Sequence, residues 1–558
     1  MKNWFRNGTP WVWLTGGAVT LSLIMVIGVI GLIAVRGLSH FWPSPVVQTE
    51  IVSFETGEVR HVLGEVARTE SVPAQVAADA GNFIPEDRLD TLVTRYLFKV
   101  GNRDQDQADF IWHTDLGMAD FEYPENAMVL ERREWGDFYG FPEAVLLDGE
   151  VIRTADEPDF LSELEALVGR SLELHDEIKR IERRDVGEIN QQIEQLRLDL
   201  RSLDLNNVTG TARAEEEARI AADRARLDAE YDELRVELDE LYASTQRDTL
   251  RMRMINDQTV DISLAQIMRV TVPNDMSVLQ KAWEYLDRFW TFLTDEPREA
   301  NTEGGIFPAL FGTVTMVMVM SIIVTPFGVL AAIYLREYAK QGPLTRAIRI
   351  SVYNLAGVPS IVFGVFGLGF FVYFLGGSID QLFFPEALPR PTFGTPGLFW
   401  ASLTLALLTL PVVIVSTEEG LARIPSTIRQ GSLALGATKS ETLWKVVVPL
   451  STPAMMTGLI LAIARAAGEV APLMLVGVVK LAPSLPIDGT FPYIRLDRQF
   501  MHLGFHIYDV GFQSPNVEAA RPLVYATALV LILLIVVLNL TAISIRNHLR
   551  EKYRSESD

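Results

Sequence analysis

The 558-residue chain contains no cysteine, which excludes a disulfide framework and leaves the redox compartment open. It has no G-x-x-x-x-G-K loop followed by Ser or Thr, no nucleophile elbow, and no metal-ligand spacing among its seven His. An enzyme is therefore not expected, and neither is a resident cofactor or metal. Positive charge is scarce where the chain is most polar. Residues 37–305 carry 57 Asp+Glu against 28 Lys+Arg, while the rest carries 14 against 21. A surface so acidic repels phosphate backbones, so nucleic acid is excluded as a partner.

What is present in quantity is long apolar sequence. Mean hydropathy is +0.19, and 49% of residues are hydrophobic. Apolar stretches recur near 11–35, 307–335, 350–375, 397–416, 455–479 and 522–545. A hydrocarbon core of about 30 Å needs about 20 residues of helix, and each stretch is of that length. The sequence thus predicts an α-helical polytopic membrane protein with six spans. The first stretch exceeds a signal-peptide apolar region of roughly 7–15 residues. It reads as an uncleaved helix, with Phe41 and Trp42 at the far interface.

Lys and Arg mark the cytoplasmic side of a membrane. They cluster at Lys2 and Arg6, at Arg336, Lys340, Arg346 and Arg349, at Arg423, Arg429, Lys439 and Lys445, and at Arg546, Arg550, Lys552 and Arg554. Six spans with both termini inside put all four clusters on one side, and residues 37–305 outside, in the periplasm of a Gram-negative cell or on the surface of another bacterium. The expected organisation is a first membrane helix over 1–36, then an α+β or β-rich region over 37–160. An antiparallel coiled-coil hairpin follows over 161–250. Next come a return strand and interfacial helix over 251–305, a five-helix core over 306–545, and a tail over 546–558.

The hairpin is read from 4-3-4-3 spacing at Ile189, Ile193, Leu196, Leu200 and Leu203, repeated at Leu227, Tyr231, Leu234, Leu238 and Leu241. Thr211 is placed to cap its second helix. About 40 residues of helix would project about 60 Å. The return strand, 258–262, is expected to pair with the first part of the insert. A helix near 276–294 carries Leu279, Trp283, Leu286, Phe289 and Trp290, the pattern of a membrane-interface helix.

Two segments carry chemistry. Residues 417–454 form a polar, Gly-punctuated loop between apolar runs, with Gln430, Gly431 and Ser432, then Gly436, then Val446-Val447-Val448-Pro449. Downstream, Arg465 and Glu469 lie four apart in apolar sequence. An Arg at the bilayer centre costs roughly 2.5–3.5 kcal/mol, so it should face the bundle interior or a water-filled cavity. Its guanidinium suits a phosphate through paired N–H donors, with Glu469 as a competing counter-ion. A structural ion pair that locks the helix is the equally physical alternative. Gly357, Gly364, Gly367 and Gly369 are expected to allow close helix packing, and Pro359, Pro411 and Pro472 to bend or interrupt helices.

The 417–454 segment resembles the coupling loop of ABC-importer permeases: Glu-Ala-Ala, a Gly four positions on, then apolar-x-apolar-Pro. Here Gln430 replaces the Glu, and Gly431 and Ser432 replace the two Ala. Gly304 to Thr313, Asn354 to Leu368 and Arg465 to Leu473 resemble phosphate-specific ABC importer permeases, nearest the A-type subunit, over about 304–545. That resemblance implies a permease pathway for inorganic phosphate. It also implies a second permease subunit, an ATPase dimer that binds the ATP, and an extracytoplasmic phosphate-binding protein. Within it, Arg465 and Glu469 belong to phosphate passage. Gln430, Gly431, Ser432, Gly436 and Pro449 meet the ATPase. Sulfate or molybdate is the alternative substrate. A membrane-anchored sensor, which also has an outer domain between spans, is the alternative of another class; it predicts a cytoplasmic signalling domain, and the short inner loops and tail count against it.

Overall fold

A computed structural model describes residues 8–52, 58–79, 84–85, 88–106, 108–489, 493–514 and 517–555. The chain forms two compact units, Phe41–Thr291, and Met1–His40 together with Phe292–Asp558.

In the first of these, strands β1 (Val46–Val52), β2 (Val59–Pro73), β3 (Leu92–Lys99) and β4 (Phe110–Thr114) form an antiparallel sheet in chain order. Alternation puts Val47, Ile51, Val62 and Phe98 into one buried cluster. A second sheet has the order β10-β5-β6-β8-β9, with β7 also paired to β6. Its strands are β5 (Met128–Arg132), β6 (Phe138–Leu147), β7 (Glu150–Thr154), β8 (Asp248–Arg253), β9 (Thr259–Ser263) and β10 (Ile267–Thr271). Asp148 and Gly149, with φ of 50° and 83°, make the two-residue turn between β6 and β7. Positive φ at both positions is what a tight hairpin of this twist requires. Phe160, Leu164 and Val168 from the helix Phe160–Arg180 cover this sheet against Leu250, Met252 and Ile262.

The return strand differs from expectation in its partner. β9 pairs with β8, and β8 is the strand that reaches β6. Local turn chemistry decides this: Asp257 sits at φ 61°, and Asn256 Oδ1 accepts from the Gln258 amide at 3.1 Å, folding the chain straight back.

The arm runs out through Phe160–Arg180, a π-helical turn at Ile181–Asp185 and Val186–Leu205, and returns through Thr211–Thr245. Gly210, at φ 76° and ψ −150°, is the cap, so Thr211 is the first helical residue rather than the cap. That backbone conformation is accessible essentially to Gly alone. Along the seam Ile189, Ile220 and Leu227 are buried, while Leu200 and Tyr231 stay exposed. Two helices packed on each other shield only part of each apolar stripe. Tyr242 donates to Glu182 at 2.6 Å near the root, and Arg213 to Asp204 at 2.8 Å near the tip.

Among the described residues of the other unit, six helices are long and apolar enough to cross a membrane: Pro10–Ser39, Phe307–Tyr338, Ser360–Phe383, Leu398–Arg423, Lys439–Gly468 and Ala520–His548. The third and fifth depart from the expected 350–375 and 455–479. Pro359 caps the third helix, because a residue before proline is pushed out of the helical region, and Pro343–Leu355 becomes a separate amphipathic helix. The fifth begins earlier, in the polar loop itself, and ends at Gly468. The second, fourth and fifth helices share a core that includes Met316, Met320, Leu405, Val413, Ala462 and Ala466.

Small residues set these distances. A Cβ on Gly328 would lie 2.6 Å from Val413, and one on Gly458 2.7 Å from Ser416. On the third span, Gly364 backs onto Pro472 and Gly367 onto Thr404 at similarly short range. Gly357, which precedes this span, and Gly369 have no such close neighbour, so close packing accounts for two of the four glycines expected to provide it.

Candidate functional site: a wedge between two spans and a charged helix end

The polar loop leaves the fourth span at Arg423. Ile424 is extended, Pro425 opens the helix Ser426–Ala434, and Gly436 turns the chain at φ 91°. Thr438 then opens Lys439–Thr442 with a reciprocal capping box: its hydroxyl accepts from the Glu441 amide at 3.2 Å, and Glu441 accepts from the Thr438 amide at 3.0 Å. The helix continues through Leu443–Val447 into Val448–Gly468, so the wedge and the fifth span are one rod. Ser432 Oγ lies 2.9 Å from Thr442 Oγ1, joining the two arms of the wedge. Gln430 and Gly431 are exposed, and Leu435 at the tip is 91% exposed.

One side chain fixes this wedge. Arg429 donates to the Ile424 and Leu421 carbonyls at 2.7 and 2.8 Å and to Glu337 Oε1 at 2.8 Å. The two carbonyls belong to the end of the fourth span, where helix C=O groups lack partners. Glu337 belongs to the end of the second span. Lys439 donates to the Glu337 carbonyl at 2.6 Å and sits 4.7 Å above the Tyr338 ring. Arg349, between the second and third spans, pairs with Glu418 at 2.5 Å. Ile333, Leu421, Ile424, Leu443 and Val447 form the apolar floor beneath these contacts. Sequence reading placed Arg349, Arg429 and Glu418 in loops and flanks, but assigned them no partners and passed over Glu337. Nothing local pairs Arg429 with Glu337, or Arg349 with Glu418, across so many residues.

Arg465 and Glu469 are brought together, at the end of a helix rather than within one. The helix stops at Gly468, and Glu469 is extended at ψ 133°. Arg465 Nε reaches Glu469 Oε1 at 3.4 Å, a single long contact rather than a bidentate fork. Their side chains are 36% and 20% exposed. An open, weakly closed pair of this kind can exchange its carboxylate for another anion.

Beyond it the chain folds back. A short helix Leu473–Val476 precedes Gly477, whose backbone lies against Gly397, and Val478 bridges to Phe500. The Leu503 amide donates to Thr313 Oγ1 at 2.9 Å, and Gly312 lies against the Met501 carbonyl. Burial pushes His502 and His506 in this return segment down to about 3 and about 4, so both are neutral. Asp509 is held by Lys480 at 3.3 Å and by Asn301 at 3.2 Å. No group of His, Asp and Glu suited to a metal ion occurs among the described residues.

Residues 324–555 match the family described as binding-protein-dependent transport system inner membrane component. The phosphate transport system permease protein PstA 1 of Mycobacterium tuberculosis is 30% identical over 304 residues, covering 53% of this chain and 90% of that protein. PstA of Mycobacterium leprae is 34% identical over 272 residues, covering 48% of this chain and 80% of that one. Among solved structures, an inward-facing MetNI methionine ABC transporter aligns at 18% identity with a TM-score of 0.32, over 47% of this chain and 98% of that one. The chain therefore belongs to the family of binding-protein-dependent transport system inner membrane components, and it is a multi-pass inner-membrane permease.

Proposed function

We propose that this chain lines the transmembrane pathway for inorganic phosphate in an ABC importer. The observation that carries the reading is the likeness to permeases named for phosphate transport, at 30–34% identity over 80–90% of their length. A second permease subunit completes the pathway. An extracytoplasmic phosphate-binding protein delivers the anion, and a separate ATPase dimer binds and hydrolyses ATP. Both termini and the wedge lie in the cytoplasm, and residues 37–305 lie outside, in keeping with the Lys and Arg clusters.

The physical steps follow from the two sites. Closure of the ATPase pair presses on the exposed side of the wedge, around Gln430, Gly431, Ser432, Gly436 and the Leu435 tip. Because the wedge and the fifth span are one rod, and Arg429 ties it to the second and fourth spans, the push moves these helices together. Pro449 begins the part of the rod that enters the bundle. At its other end Arg465 offers a guanidinium to the passing anion while Glu469 yields it. A partly exposed Arg–Glu pair held by one long contact supports this over a fixed structural bridge.

Radiolabelled phosphate uptake tests the reading, in cells whose only high-affinity system contains this chain, with sulfate and molybdate as competitors. ATP-dependent uptake displaced by phosphate alone is expected. Uptake of sulfate or molybdate in its place by an assembled complex would move the substrate to another oxyanion.

A further inference from the structure

The helix Val278–Thr294 carries a polar and an apolar face that are used in opposite senses. Its polar face is bound to protein. Arg269 on β10 donates to Glu284 at 3.2 Å, Asp287 at 2.7 Å and Thr291 at 3.1 Å, and Arg288 donates to Glu284 at 2.8 Å. Ser277 and Gln280 cap its start reciprocally, with the Ser277 amide donating to Gln280 Oε1 at 2.8 Å. Asn274 pins the approach by donating to the Val46 and Pro124 carbonyls, each at 2.8 Å. The apolar stripe faces outward. Leu279, Trp283, Leu286 and Trp290, spaced i, i+4, i+7 and i+11, are 82, 76, 57 and 66% exposed. An ordinary surface helix does the reverse, burying its apolar stripe and solvating its charges.

What covers the stripe is indicated by where the helix sits in the chain. Phe41, two residues beyond the first span, meets the Phe289 ring edge-on at 5.3 Å. Three residues further along the same end, the Ile306 amide donates to the Phe292 carbonyl at 2.9 Å and the Phe307 amide to the Asp295 carbonyl at 3.1 Å. Phe307 is the first residue of the second span. The last turns of the helix are thus tied both to the residues that follow the first span and to those that open the second. Lys281, Glu284, Asp287 and Arg288 balance to zero, so nothing on the helix calls for an acidic or basic partner. Trp at the polar–apolar boundary is the residue type favoured at a membrane surface.

We propose that Val278–Thr294 is seated on the lipid surface of the leaflet facing the insert, with Leu279, Trp283, Leu286 and Trp290 in the headgroup–acyl boundary and the Arg269 cluster as its upper clamp. It then acts as a lipid-borne footing for residues 41–291, independent of which anion is transported. Seating driven by apolar contact is insensitive to salt and to the anionic lipid fraction, unlike binding by a basic helix.

The absence of native cysteine allows single labels. Nitroxides are placed at Leu279→Cys, Trp283→Cys and Leu286→Cys in the full complex in nanodiscs, with Glu233→Cys on the arm and Asp275→Cys as references. Collision with lipid-soluble oxygen, relative to a water-soluble nickel chelate, should be several-fold higher at the three stripe positions than at Glu233, in high and low salt alike. Stripe labels as open to the chelate as Glu233 would overturn the proposal. So would immobilised labels closed to both quenchers, the signature of a protein partner on the stripe.

Discussion

Arg429 should be the residue whose loss separates ATP hydrolysis from transport. It makes three charge-assisted hydrogen bonds, two to the carbonyl end of the fourth span and one to Glu337 on the second. Its side chain is 22% exposed and that of Glu337 14%, so water replaces these bonds poorly. Breaking such a pair by removing one partner costs about 3–5 kcal/mol. Even 3 kcal/mol shifts a docked wedge toward an undocked one by about 10²-fold. Arg429→Met keeps the volume and removes the donors. The variant complex is expected to assemble and retain basal ATP hydrolysis, yet lose stimulation by the loaded binding protein and at least tenfold in uptake. Glu337→Gln leaves both carbonyl bonds, and the Lys439 contact to the Glu337 main chain, intact. Its amide oxygen can still accept from Arg429, so the change should cost less than Arg429→Met, about 1.5–3 kcal/mol at most, with a smaller loss of uptake. Parent-level uptake by assembled Arg429→Met would refute the clamp. So would a Glu337→Gln variant more impaired than Arg429→Met, since the carboxylate would then outweigh the carbonyls.

Three further outcomes can be checked. Arg465→Ala should abolish phosphate uptake while co-purification with the ATPase subunits is unchanged; retained uptake would remove Arg465 from the pathway. Gly364→Val places a side chain whose first atom already lies 2.7 Å from the Pro472 backbone. It should lower thermal stability by about 1–3 kcal/mol, as overpacking does, whereas Gly369→Ala should be near neutral in the same melt. In the arm, burial first, and then the positive charges of Arg133 and Lys179, push His175 down to about 4 from an ordinary 6.5. Its neutral form therefore favours the folded state. That contribution is complete above about pH 6.5 and is lost as pH falls toward 4, because the unfolded chain takes up the proton first. Hydrogen exchange of Phe160–Arg180 should quicken across that window, and His175→Gln should flatten the dependence.

The features legible in the sequence were those written in local pattern. Six apolar runs give six candidate spans, and Gly436 marks the turn inside the polar loop, while the capping box of Thr438 and Glu441 emerges only in the structure. The limits of the third and fifth spans were not legible from hydropathy. Pro359 and the break after Gly468 act through backbone conformation, and apolar sequence continues across both. Partner choice was also hidden. β9 pairs with β8 because of the turn at Asn256 and Asp257, although its composition suits any neighbour. Glu337 lies in a short polar stretch like many others, and its meaning comes only from Arg429 arriving from another loop.

The same clamp explains how the wedge tolerates its unusual residues. In the resembling permeases a Glu and two Ala occupy the positions of Gln430, Gly431 and Ser432. Gln430 and Gly431 point outward here, and a Cβ on Gly431 would meet nothing within 4 Å. Neither residue can therefore be what holds the loop against the bundle. That task falls to Arg429, to Lys439 on the Glu337 carbonyl, and to the apolar floor under Leu443 and Val447. Ser432 adds the link to Thr442 that an Ala cannot make. Two of the three substitutions, at Gln430 and Gly431, thus fall on the outward side of the wedge, and the third, at Ser432, joins its two arms. Gln430→Glu should accordingly leave the melting temperature of the complex unchanged and shift only the affinity for the ATPase subunits. A destabilised chain would instead place residue 430 inside the clamp.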